Sequence, residues 1–270
     1  MRLLSKIHHK NLVGLLLLLL AIPHLTGSTA SAHFFYFNPD SSFTNFASLK
    51  LMMDSFLSSH GFTFSFQPFA RFQDFDRQVK ERKPSLVFLP EWYLKQDGNG
   101  NNFKPFMVPV YRGVTHYRKV LLVGANSDLT LSMLAGPTIA MTPVGPAGIT
   151  MLNETIFKEH GLEANTLNFI TTTKDSDALF ALALGQVQAA LISQNNLESI
   201  GKINPNILKT VKILAVSSPI PLPILCYAEG VLTPQELDKM RTSLLTGKHD
   251  KNTAQLMELL NIDDWQSPTL

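Results

Sequence analysis

Residues 169–193, FITTTKDSDALFALALGQVQAALIS, constrain the fold of this chain more than any other stretch. Phe169 opens an apolar run of strand character, residues 172–175 supply a polar helix start, and residues 179–184 are apolar throughout. Gly185 then ends the helix, because glycine enters the left-handed region after a last turn without a Cβ clash, and a buried strand follows at once. Strand, helix and strand in such quick succession form a crossover unit, which places the chain among α/β proteins with right-handed connections.

The amino terminus decides the compartment. Arg2, Lys6 and Lys10 form a basic head with no acid, residues 12–22 are apolar, and Ala30-Ser31-Ala32 is an A-x-A cleavage site. Residues 1–32 therefore read as a cleavable secretory leader, with the mature chain beginning at His33 in the periplasm. The apolar run is shorter than the ~20 residues that span a bilayer, and no cysteine lies near the cleavage point to carry a lipid. Removing the three leader cations takes the net charge from +2 to about −1. A nucleic-acid partner then has no electrostatic motive. Cys226 is the sole cysteine, so no internal disulfide forms, and it reads as a small buried core residue.

The rest of the chain repeats the alternation. Residues 33–37 (HFFYF) form a short apolar strand and 38–42 a turn. Residues 45–59 carry Phe46, Leu49, Met52, Phe56 and Leu57 at helical spacing, and 62–69 alternate Phe62, Phe64 and Phe66 as a strand does. A charged helix at 73–83 and a buried strand at 84–90 complete a β-α-β-α-β order, which predicts a mainly parallel sheet. Beyond a polar loop at 97–104, strands are expected at 107–111, 119–124, 138–142, 167–171 and 209–217, and helices at 149–160 and 251–260. Thr233-Pro234-Gln235-Glu236 opens another helix with a capping-box pattern.

Residues 179–192 resemble the helix-Gly-strand signature of type 2 periplasmic solute-binding proteins, in particular the phosphate/phosphite/phosphonate branch that serves ABC transporters. Phe88-Leu89-Pro90-Glu91-Trp92-Tyr93 is similar to that branch's F-G-P-x-x-Y, and Ser217-Ser218-Pro219-Ile220-Pro221 to the segment that returns the chain to its first lobe. Residues 231–245 look like its carboxy-terminal helix. The resemblance implies an α/β, two-lobed periplasmic-binding-protein type 2 fold, with mainly parallel sheets and hinge-crossing segments. Lobe 1 would be 33–117 plus 214–270 and lobe 2 would be 118–213, with crossings near Tyr117-Arg118 and Ala215-Val216. It also implies a monomer, without cofactor or metal, that captures a small molecule between its lobes for an ABC permease.

Ligands of open α/β sheets sit beyond the carboxyl ends of the strands. That rule nominates Ser41 and Ser42 after the first strand, and Glu91, Trp92 and Tyr93 after the third. It also nominates Thr142, Val144 and Gly145 before a second-lobe helix, Asp175 at the next helix start, and Ser193 after the return strand. In phosphonate-type proteins the loop at Thr142 reads Ser-Thr-Ser-Gly, whose hydroxyls and backbone N–H groups hold the oxyanion. Here it reads Thr142-Pro143-Val144-Gly145-Pro146, and the two prolines remove donors. The acid of the family's helix-Gly-strand signature is replaced by Gln188, while Glu91 and Asp175 add carboxylates that repel a dianion. These departures predict an altered specificity, with Trp92 and Tyr93 as walls for an apolar, heterocyclic or cationic solute. Plainer roles compete: Asp175 as an acid favoured by the helix dipole, Thr142 and Gly145 as turn residues, Tyr93 as core.

A second reading keeps the fold but replaces the permease by a membrane sensor or enzyme to which the closed lobes are presented. A remote third makes His33 an amino-terminal copper ligand, with a partner among His60, His116, His160 and His249. Their spacing forms no H-E-x-x-H or comparable pair, and the α/β order is wrong for the β-sandwich such copper enzymes use. No Gly-x-Ser-x-Gly elbow, P-loop or dinucleotide fingerprint is present.

Overall fold

The structure, a computed structural model, describes residues 32–41, 45–96 and 103–268; the leader expected at 1–32 lies outside them but for Ala32. The chain begins β1 (His33–Phe37), α1 (Phe46–Ser59), β2 (Ser65–Phe69), α2 (Phe72–Arg82), β3 (Leu86–Leu89), α3 (Glu91–Leu94) and β4 (Phe103–Val110). It continues β5 (His116–Tyr117), β6 (Lys119–Gly124), β7 (Thr138–Met141), α4 (Pro146–Leu152), β8 (Asn168–Thr171), α5 (Asp175–Ala183), β9 (Ala189–Ser193), α6 (Gln194–Ile203), α7 (Pro205–Leu208) and β10 (Val211–Val216). It ends β11 (Ile220–Pro221), β12 (Ile224–Ala228), α8 (Pro234–Thr246), α9 (Lys251–Leu260) and β13 (Asp264–Gln266).

These strands build a first sheet in the order β13-β4-β12-β3-β1-β2 and a second in the order β10-β6-β9-β7-β8. Between them β5 and β11 pair as a small antiparallel ribbon, where the chain crosses from one half to the other and back. Both sheets are mixed, which corrects the expectation of mainly parallel ones. The crossover units make β2, β1 and β3 parallel, and likewise β9, β7 and β8. A strand that enters its sheet from the ribbon runs against those that end near it. Thus β12 is antiparallel to β3 and β4, and β6 is antiparallel to β9 and β10.

Helices cover both faces of each sheet, so the central strands are apolar along most of their length, with polar residues such as Lys119 and Ser193 confined to their ends. Alternation then sorts their side chains. Phe34 and Tyr36 join Phe56, Phe66, Phe88 and Trp265 on one face of the first sheet. Phe35 and Phe37 join Phe72, Phe75, Trp92 and Tyr93 on the other. In the second sheet Leu121 and Val123 face Leu191 and Phe157, and Val120 and Leu122 face Ile192 and Leu179.

Local signals act as their chemistry requires. Gly185 stands just past the end of α5 with φ +71°. Thr233 caps α8 and Glu236 completes the capping box. The helix expected from 149 begins earlier, at Pro146, whose missing N–H is harmless at the first helical position; it continues through a π turn at Asn153–Phe157. Among the described residues no helix is long and apolar enough to cross a membrane.

Candidate functional site

The turn after β1 reaches from the first half into the second. Asn38 Oδ1 accepts from the Asp40 backbone N–H at 3.1 Å and fixes the turn. The Asp40 carboxylate accepts three further bonds. Lys119 Nζ donates to Oδ1 at 2.5 Å, Thr142 Oγ1 to the same oxygen at 3.2 Å, and Tyr117 Oη to Oδ2 at 2.6 Å. Lys119 opens β6, Thr142 follows β7 and Tyr117 lies in the ribbon strand β5; all three are buried. Asn196 Nδ2 at the start of α6 donates to the Asp40 carbonyl at 3.1 Å. One residue of the first half is thus gripped by the second half and by the crossing.

Charge in this centre is not solvated. Burial alone pushes the Lys119 ammonium down, but the carboxylates of Asp40 and Asp175 outweigh it and hold the group above its ordinary range. Burial, then Asp40, hold the Tyr117 phenol well above its usual value. Asp175, the first residue of α5, accepts from the Ser193 N–H at 2.9 Å and from Asn196 Nδ2 at 2.7 Å, both through Oδ2. Its Oδ1 is buried with no hydrogen-bond partner among the described residues. Burial pushes this carboxyl up to about 6, against the pull of Lys119 and with a further push from Asp40.

A separate groove of about 730 Å³ runs between α3 and α4, with Pro219, Ile220 and Pro221 of the returning crossing on its wall. Small-molecule sites occupy about 300–1,000 Å³. Glu91, Trp92, Gln96 and Glu154 line it. Trp92 is only 4% exposed, and neither its Nε1–H nor Gln96 Oε1 has a hydrogen-bond partner among the described residues. Glu91 is partly exposed and pairs with Lys95 at 3.7 Å.

The residues nominated from the sequence fall into three places. Ser41, Thr142, Asp175 and Ser193 gather around Asp40, with Ser193 also capping α6 by accepting from the Asn196 N–H. Glu91 and Trp92 line the groove. Val144 packs against the cores of both halves, and Gly145 lies so close under Phe72 that a Cβ there would stand 2.1 Å from the ring's Cζ. Tyr93 offers no wall to the groove. It is wholly buried in the core, its Oη donates to Asp76 at 2.9 Å, and burial with that acid raises the phenol far above its usual value. Ser42 lies outside the described residues. Asp40, Lys119 and Asn196 are not among the residues that the strand-end rule nominates. The available signal was Lys119 at the head of KVLLVG, since an ammonium on a buried strand demands a carboxylate partner. His33 lies within β1, its ring against Phe35, and among the described residues no three His, Cys, Asp or Glu side chains are grouped to hold a metal ion.

Two sheets joined by a double crossing, with a polar centre at their facing strand ends, are the architecture of a solute-binding protein. The family model for periplasmic substrate-binding proteins of phosphonate ABC transporters matches residues 35–270. The chain belongs to this family. It is a periplasmic solute-binding protein of an ABC transporter, a class whose members bind a small molecule and deliver it to a permease. No curated protein sequence matches it. Among solved structures it is similar to a binding-protein component of an ABC phosphonate transporter from Pseudomonas aeruginosa. The two share 15% identity and a TM-score of 0.70, over 88% of this chain and 81% of that one. PhnD1 from Prochlorococcus marinus, in complex with methylphosphonate, gives 12% identity and 0.68 over 88% and 93%. A Xanthomonas citri protein bound to ATP gives 11% and 0.68 over 89% and 92%.

Proposed function

We propose that this binding protein carries a solute other than a free phosphonate, held in the groove between α3 and α4. The two sheets act as lobes, 33–117 plus 217–270 and 118–216, since β10 carries residues 214–216 in the second sheet rather than the first, and they hinge at the crossings near Tyr117-Arg118 and just past Val216. The observation that carries this reading is the engagement of the Thr142 hydroxyl: it donates to Asp40, and the adjoining Pro143 and Pro146 have no N–H to offer. An incoming phosphonate would meet Asp40 and Asp175 where it needs donors, and Lys119 is already paired.

The groove has the opposite character. The Trp92 indole supplies an apolar wall, its Nε1–H and Gln96 Oε1 have no hydrogen-bond partner among the described residues, and Glu91 and Glu154 supply carboxylates. This set favours a heterocyclic or cationic solute. Solved relatives of this fold are recorded with ligands as different as methylphosphonate and ATP, so the fold leaves room for such a change.

Calorimetry and thermal shift against phosphate, methylphosphonate, amines and small heterocycles test the proposal. An amine or heterocycle is expected to stabilise the protein by ~2.7 kcal/mol at a hundredfold excess over its Kd. Trp92→Ala is expected to weaken that solute on the order of tenfold or more. Tight binding of methylphosphonate by the wild type, or unchanged solute affinity in Trp92→Ala, defeats it.

A further inference from the structure

The Asp40 carboxylate is held as a bound anion would be. Its two oxygens accept from an ammonium, a phenol and a hydroxyl, all from residues outside the first sheet, and only a turn of backbone ties it to the strand it follows. Lys119 is wholly buried, and among the described residues its ammonium makes no other hydrogen bond or ion pair. A cavity of about 70 Å³ adjoins the carboxylate, lined among others by Asn38, Asp40, Ser41, Tyr117, Ser193 and Asn196. That space is polar and lies between the Asp40 turn, Tyr117 and the start of α6.

We propose that Lys119, Tyr117 and Thr142 form a socket for one carboxylate, that Asp40 is its tethered occupant, and that a free carboxylate takes the socket once that side chain is removed. Asp40 then acts as a specificity-determining residue. It satisfies the buried ammonium and joins the two halves without an external anion, and small free anions are kept out because a tethered group competes at high effective concentration. The inference rests on the two-lobed reading above, yet its test needs no knowledge of the natural solute.

Asp40→Ala deletes a carbon and two oxygens, the heavy atoms of formate; Asp40→Gly deletes those of acetate. The melting temperatures of both variants and of the wild type are compared in sodium formate, sodium acetate and sodium chloride at equal ionic strength. Asp40→Ala is expected to melt below the wild type in chloride and to show a saturable rise with formate. Asp40→Gly should respond to acetate at least as well as to formate, and the wild type to neither beyond the chloride control. Adding Lys119→Met to Asp40→Ala should abolish the response. If Asp40→Ala does not fold in chloride, its refolding from urea is scored with and without formate. Recovery only with formate supports the socket, and equal recovery or none in both overturns it. A formate response equal in wild type and Asp40→Ala, or surviving Lys119→Met, also overturns it. Tight methylphosphonate binding by the wild type would strike instead at the proposed specificity and leave the rescue assay standing.

Discussion

The half built on the first sheet packs aromatic rings where the half built on the second packs aliphatic chains. In the first, Tyr36 stacks on Phe88 at 5.2 Å and Phe37 on Phe75 at 5.0 Å, and Phe35, Phe66, Trp92 and Tyr93 fill the space around them. In the second, leucine, isoleucine, valine and alanine dominate both faces, and Phe157 is the one ring among its buried residues. Buried polar groups divide the other way. Lys119, Thr142, Asp175, Ser193 and Asn196 belong to the second half, whereas Ser85, Ser243 and Thr253 of the first carry no charge. Slim aliphatic strands let an ammonium, a hydroxyl, an amide and a carboxylate converge at neighbouring strand ends. A broad aromatic face leaves room for less, and presents one carboxylate on a turn. The difference teaches that socket and occupant come from halves of different packing, so damage to each should register differently.

Lys119→Ala should break the comparison most visibly if it is wrong. Removing the ammonium leaves the buried Asp175 and the partly buried Asp40 without their cation, and urea unfolding is expected to show a loss of about 3–5 kcal/mol. The exposed first-half pair Lys50–Asp54 serves as contrast, since Lys50→Ala should cost under about 1 kcal/mol. Equal losses would mean that the centre is no drier than the surface.

Gly145→Ala probes where the halves touch. The backbone there has φ −78° and accepts alanine without strain, so any loss comes from the new methyl meeting the Phe72 ring. Overpacking of this kind costs about 1–3 kcal/mol. Phe72→Leu in the same background should recover part of it, and a neutral Gly145→Ala would show that this contact does not hold the halves together.

Asp175 supplies the sharpest sign. Its folded-state value of about 6 lies above its ordinary 3.8, so between those values the native protein holds a proton that the unfolded chain has released. Stability from this group is therefore highest below that window and falls as pH rises through it, by up to about 1.4 kcal/mol per pH unit. Lys119, Asp40, Ser193 and Asn196 face the carboxyl and set the shift. Measured as wild type minus Asp175→Asn, the difference should decline from pH 4 to pH 6 and flatten above 7. A pH-independent difference would place Asp175 among solvated acids.

Much of the fold was legible. The strand expected at 119–124 and the helix at 251–260 match β6 and α9 residue for residue, because both lie between strong local signals. The strand expected at 62–69 shrinks to β2 because its partner β1 begins only at His33, which pairs with Ser65; Phe62 and Phe64 pack against the core from outside the sheet. Helix α6 is not among the expected elements, although QNNLESIGKI is amphipathic and Ser193 caps it. In the site, Thr142, Asp175 and Ser193 could be nominated from strand-to-helix transitions. Tyr93 was drawn to the cleft by the motif around it, but its hydroxyl found Asp76 on α2.

By itself the sequence determined which segments become strands and helices and where several of them stop, because periodicity, capping and a left-handed glycine act over a few residues. Only the tertiary structure decided which strands run antiparallel, because direction depends on the end at which a strand enters its sheet. It alone decided, too, that Asp40 meets Lys119, 79 positions away. A buried charge must find its opposite, but where strand ends converge is set by the packing of two whole sheets, which no local pattern encodes.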